Sequence, residues 1–156
     1  MSIFTDIKEL ANGKPQSKEW YREQVYYALD PYTGSFDPGD IIFFSYAAAT
    51  PKLQFWDTFP MVVITDVDTK NLQFSGGNMH YVPPSTRKAI GNSWAAGGNG
   101  YPERCHHKYF MSNASGIYKV ERDYLDNMTP LPIEQFVLRA AGRVMKVPSS
   151  AIWSRV

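Results

Sequence analysis

Cysteine is almost absent from this 156-residue chain. Cys105 stands alone, so no disulfide can form within the chain, and the composition suits assembly in a reducing compartment such as a cytoplasm. Long apolar runs are missing too. None approaches the roughly 18 residues of a membrane span. The opening stretch, "MSIFTDIKELANGKPQSKEW", is charged throughout and lacks the apolar core of a signal peptide. Metal-ligand spacing is absent. Zinc sites use four ligands spaced a few residues apart, whereas Cys105, His106 and His107 are adjacent and alternate faces if extended. No nucleophile-elbow pattern, internal repeat or low-complexity tract occurs. The expectation is a single domain over 1–156 with no metal, no cofactor, no membrane contact and no catalytic residue.

What the chain does have is aromatic surface, with 4 Trp, 10 Tyr and 9 Phe. Such residues dominate cores and interfaces alike, so a domain this small has some left for a partner. The net charge of +1 also hides an asymmetry: residues 1–84 sum to −4 and residues 85–156 to +5. A basic second half suits an acidic partner or nucleic acid, and equally an ordinary solvated surface.

Along the chain, "PQSKEWYREQVYYALD" reads as a helix capped by Ser17 and stopped by Asp30-Pro31, which closes an arm-and-helix segment over 1–30. A β-rich core is expected over 38–125. "IIFFSY", "FPMVVITDV" and "LQFSGGNMHYV" read as strands, with "AAATPKLQFWDT" as a loop between the first two. Gly76-Gly77 suggests a bulge or a close backbone approach. Pro83-Pro84 ends the third strand. The glycine-rich stretch 91–102 reads as a loop, and "IYKVERDYL" as a strand and turn. Over 130–156 the spacing of Ile133, Phe136, Val137, Ala140, Ala141 and Val144 predicts an amphipathic helix, followed by a turn packed back by Ile152 and Trp153. The fold expected is α+β: a small antiparallel SH3-like β-barrel or curved sheet, flanked by an N-terminal helix and a C-terminal amphipathic helix.

Two constellations carry candidate chemistry. Strand alternation puts Asn78 and His80 on one face. An imidazole there suits a general base, or a hydrogen-bonded structural histidine that ties the strand to a neighbouring loop. The basic residues Arg139, Arg143 and Lys146 line one face of the expected C-terminal helix, and Arg87 and Lys88 follow the double proline. All five suit phosphate contacts. The strand-loop-strand "PGDIIFFSY … FPMVVITDV" resembles the opening of toxin endoribonucleases with an SH3-like barrel. That likeness raises an alternative, a nuclease using His80 and Arg87. Phe59 stands where that family carries arginine, which removes the group that would stabilise phosphoryl-transfer charge.

Read in order, "SKEWYREQ", "GDIIFFSY", "FWDTFPMVV", "GGNMHYVPPSTR", "CHHKYFMSN" and "MTPLPIEQFV" resemble a family of small proteins of contractile-tailed, often marine, bacteriophages. That family bears the label DNA end protector, or that of a virion structural protein. The likeness spans roughly residues 17–140 and runs through Asp57, Phe59, Pro60, Asn78, His80, Tyr81, Pro83, Pro84 and Arg87. It implies a non-enzymatic assembly role in the virion, in neck, tail or baseplate, within a symmetric oligomer. The expected partners are other virion proteins and phage DNA ends. Trp20, Tyr27, Trp56 and Trp153 are the expected aromatic anchors, with Arg87 beside them. A host-directed regulatory module is the remaining alternative.

Overall fold

The computed structural model describes residues 16–32, 34–48, 55–97 and 102–154. Helix α1 (Lys18–Ala28) begins where Ser17 accepts a hydrogen bond from the Trp20 N–H. Strands β1 (Ile41–Tyr46), β2 (Phe55–Asp57), β3 (Met61–Asp68) and β4 (Gln73–Asn78) follow. A 3₁₀ turn (Met79–Tyr81) then leads into helix α2 (Pro84–Ala95). The chain continues with β5 (His106–Phe110), β6 (Ala114–Val120), short α3 (Leu125–Met128), β7 (Phe136–Ala140), β8 (Arg143–Val147) and short α4 (Ser149–Trp153).

Two antiparallel sheets result. One has five strands in the order β5-β4-β3-β1-β6, and the other three in the order β2-β7-β8. Strand β1 sits inside the larger sheet and is covered on both faces, which explains its unbroken apolar run. Ile41 and Phe43 join a core built with α1, α2, α3, β7 and α4, while Ile42, Phe44 and Tyr46 join Phe74 and Tyr109 in a second cluster. The sheets stay open: among the described residues no closed SH3-like barrel forms, an antiparallel curved sheet remains compatible, and α1 packs against strands of both sheets.

Four expectations need correction. The C-terminal helix is a β-hairpin. Ala141 (φ 51°) and Gly142 (φ 75°) both take left-handed conformations, as the central residues of a tight hairpin turn must. Apolar residues at 133, 136, 137, 140 and 144 fit helical spacing, but β7 pairs with β2 and β8 with β7, so ladder bonds override the local pattern. Second, the start of the glycine-rich stretch belongs to α2. Pro84 occupies its first turn, where a missing N–H costs nothing, and Arg87, Gly91 and Trp94 form its buried stripe. Third, the loop between the first two strands contains β2; residues 49–54 of it lie outside the described residues, as do 98–101 and the arm 1–15. Fourth, the third strand stops at Asn78, so alternation does not extend to His80.

Gly76 and Gly77 meet the expectation of close approach. A Cβ on Gly76 would overlap the Val63 carbonyl oxygen, and one on Gly77 would lie 2.9 Å from the Trp94 ring. The ladder irregularity falls opposite them, between Ile64 and Asp66 on β3. The closing turn also forms as expected, with Ile152 buried.

Candidate functional site

The 3₁₀ turn has two sides. Asn78 caps it: its Oδ1 accepts from the His80 N–H at 3.0 Å and from the Met61 N–H at 3.3 Å. Its amide donates to Asp57 Oδ2 at 3.1 Å. The same Asp57 oxygen meets His80 Nδ1 at 2.7 Å. A carboxylate only accepts, so Nδ1 carries the proton. Asp57 Oδ1 accepts from the N–H groups of Phe59 (2.9 Å) and Gln135 (3.1 Å), which pins β2 to the entry of β7. His80 and Asn78 therefore tie the bent strand to its neighbours.

Beyond His80 the polar core continues. Arg87 reaches out of α2 and is 0% exposed, the largest fully buried side chain. Its Nε donates to the carbonyls of Val82 (2.9 Å) and Met79 (3.1 Å), and its guanidinium meets Glu134 at 3.4 Å. The His80 carbonyl accepts from Trp153 Nε1 at 2.9 Å. Glu134 also pairs with Lys18 at 3.0 Å, and Lys18 donates to Ser149 at 2.7 Å. Arg22 lies over the Phe59 ring at 4.2 Å and donates to the Ile133 carbonyl at 3.2 Å. Burial alone would push the Glu134 carboxyl up. The nearby His80, Arg87 and Lys18 outweigh that and hold it at about 2, so it stays ionised.

The other side of the turn is aromatic. Tyr81, with Tyr46, Trp56, His107 and Tyr109, lines a cavity of about 130 Å³ between β5 and β2. The Tyr81 and His107 rings lie 4.6 Å apart, and those of Tyr46 and Tyr109 5.0 Å. Burial pushes the His107 ring toward its neutral form. His107 Nε2 lies 2.8 Å from the Arg104 carbonyl, an acceptor, so Nε2 carries the hydrogen and Nδ1 keeps a lone pair. Trp56 Nε1 is buried and has no hydrogen-bond partner among the described residues. Lys108 and Phe110 are exposed at the rim. A wider hollow of about 430 Å³ separates α1 from β8, spanned by the Lys146–Glu19 pair at 3.3 Å.

The structure scatters the residues singled out from sequence. Trp56 and Arg87 are interior, and Arg87 has no surface to offer DNA or a partner. His80 is likewise fully buried, so neither half of the His80–Arg87 nuclease pair can meet a nucleic-acid backbone as the protein stands. Trp153 is half-buried and spends its N–H on His80; Trp20 is half-buried and packs edge-on against Tyr21. Tyr27 alone among the four aromatic anchors is open, 80% exposed. The basic stripe divides on the hairpin. Cross-strand pairing puts Arg139 and Lys146 on one face and Arg143 on the other. Arg139 lies over the Trp56 ring at 5.2 Å, and Lys88 sits on α2 beside Asp126 at 3.7 Å. Sequence reasoning missed Glu134, Lys18, Arg22 and the structural role of Asp57. A charged residue inside the apolar run "LPIEQFVL" was the signal available for Glu134.

Fold and site thus define an α+β protein with open antiparallel sheets, a sealed ionic core and a small aromatic cavity. Residues 3–93, more than half the chain, match the family described as the phage T4 terminal DNA protecting protein, and the chain belongs to that family. No curated protein and no solved structure matches it. The matched span holds Asp57, Asn78, His80 and Arg87, whereas Glu134 and the β7-β8 hairpin lie beyond it.

Proposed function

We propose that this chain is a non-enzymatic protein of the phage virion that binds the ends of phage DNA. The observation that carries the reading is the match of residues 3–93 to the terminal DNA protecting family. The arrangement of charge supports it. Lys88, Lys108, Arg143 and Lys146 are exposed. Among the described residues Lys88 and Lys146 pair with solvent-exposed acidic partners, which a phosphate displaces at little cost. The strongest electrostatics lie instead in the sealed core, where they organise the fold.

The finer form of this reading places the protein in the neck, tail or baseplate, assembled in the host cytoplasm as part of a symmetric oligomer. Exposed Tyr27, Val144 and Met145 are the apolar surface that a neighbouring virion protein would cover. Its copy number in purified particles, expected as a multiple of three or six, tests that placement.

Exonuclease protection tests the function. End-labelled linear duplex should survive digestion when the protein is present, and protection should weaken steeply as salt rises, because phosphate contacts release counterions. Digestion at the unprotected rate in low salt would overturn the reading.

A further inference from the structure

We infer that the cavity between β5 and β2 is a subsite for a single unstacked nucleobase at the DNA terminus. The inference rests on the proposed binding of DNA ends and says how an end is told from continuous duplex. Size limits the occupant. A cavity of about 130 Å³ admits one planar ring, since engineered cavities of roughly 150 Å³ take benzene. The chemistry of the walls selects among such rings. Tyr81, His107, Tyr46 and Tyr109 line it with aromatic rings, the side-chain type against which proteins pack exposed bases.

Polarity selects further. Trp56 Nε1 is a buried donor with no partner among the described residues, and such a group lacks the compensation that buried donors ordinarily find. A base edge carries ring nitrogens and carbonyl oxygens that accept from it. An apolar side chain of a protein partner would leave it unpaired. His107, whose burial favours the neutral ring, adds an acceptor, Nδ1, on a wall residue whose ring lies tilted against Tyr81 at 4.6 Å. Charge points the same way. Lys108 is exposed at the rim, and Arg139 lies over the Trp56 ring, 5.2 Å from its centroid. Two cations flank the site where a base entering it would bring its phosphate. Only a terminal or unpaired nucleotide can swing its base in without breaking a pair inside the duplex.

Three probes of one sequence test this: a linear duplex with an unpaired terminal nucleotide, the same duplex with that nucleotide abasic, and a covalently closed circle. The wild-type chain should bind the intact end about tenfold more tightly than the abasic end, the share of one stacked base. Trp56→Phe, which keeps a ring but removes the donor, should narrow that difference. Lys108→Gln should weaken both linear probes alike. Equal affinity for intact and abasic ends, with both still above the circle, would overturn the base subsite and leave end binding intact. Equal affinity for ends and circle would overturn the proposed function itself. If Trp56→Phe does not fold, the comparison of intact with abasic ends still decides.

Discussion

The two sides of the Met79–Tyr81 turn differ in what surrounds their polar groups: buried carboxylates and cations on one, aromatic rings around a cavity on the other. On the His80 side, Asp57, Asn78, Arg87 and Glu134 are buried and paired, and of the His80 ring only Nδ1 is bonded, Nε2 having no partner among the described residues. On the Tyr81 side, aromatic rings surround an open space, and a buried indole donor has no partner among the described residues. The two share Asp57, which accepts from His80 and also lines the cavity. A buried network of ion pairs and hydrogen bonds rigidifies the fold and specifies one arrangement of the chain. A cavity lined by aromatic rings, with a buried donor on one wall residue, has the make-up of a small-molecule subsite. The block around His80 is therefore architecture, and its neighbour Tyr81 lines the cavity.

The largest way to break this contrast is Arg87→Ala. It leaves Glu134 buried beside one fewer cation and should cost about 3–5 kcal/mol. In a chain of this size each kcal/mol corresponds to roughly 2–4 °C, so thermal unfolding should show a fall on the order of 10 °C. A loss within the range of an ordinary surface substitution would show that the network does not hold the fold. Replacing Arg87 and Glu134 together by apolar residues should recover much of it, as a double-mutant cycle can measure.

Acid titration comes next. Glu134 sits at about 2, below its ordinary 4.5. A carboxyl lowered on folding stabilises fully above its unfolded value, and that stability is lost as pH falls through the folded value. Urea unfolding should therefore weaken by roughly 3 kcal/mol between about pH 5 and pH 2. Glu134→Gln should flatten that window.

Gly76→Ala tests the strand that delivers the turn. The new methyl meets the Val63 carbonyl, which is backbone and cannot step aside. A cost of about 1–3 kcal/mol is expected from chemical denaturation. The smallest stability effect belongs to the cavity side. Trp56→Phe keeps most of the packing and breaks no existing hydrogen bond of the indole, so it should cost about 1 kcal/mol or less. Its effect should appear in DNA affinity. A stability loss as large as that of Arg87→Ala would erase the distinction between the two sides.

How much of this was legible in the sequence varies by element. Helix α1 announced itself through Ser17 and Asp30-Pro31, and β1 and β3 through dense β-branched and aromatic runs. The hairpin was misread because apolar residues at 133, 136, 137, 140 and 144 satisfy helical spacing. The decisive sign was Ala141-Gly142, a two-residue turn that local periodicity ignores. Helix α2 was hidden behind Pro83-Pro84, a pair that reads as a stop and here acts as a start. The ionic core was hardest to see. Glu134 and Arg87 stand 47 positions apart, and Lys18 and Glu134 116 apart. Nothing local says that they meet.

By itself the sequence determined the family, matched over residues 3–93, and the identity of most strands, because burial and side-chain alternation act over a few residues. Only the tertiary structure decided what His80, Arg87 and Trp56 do. A histidine or arginine carries the same atoms in a core as on a surface. Whether those atoms are spent on Asp57 and Glu134 or left open to a ligand depends on chain segments that meet only once the protein has folded.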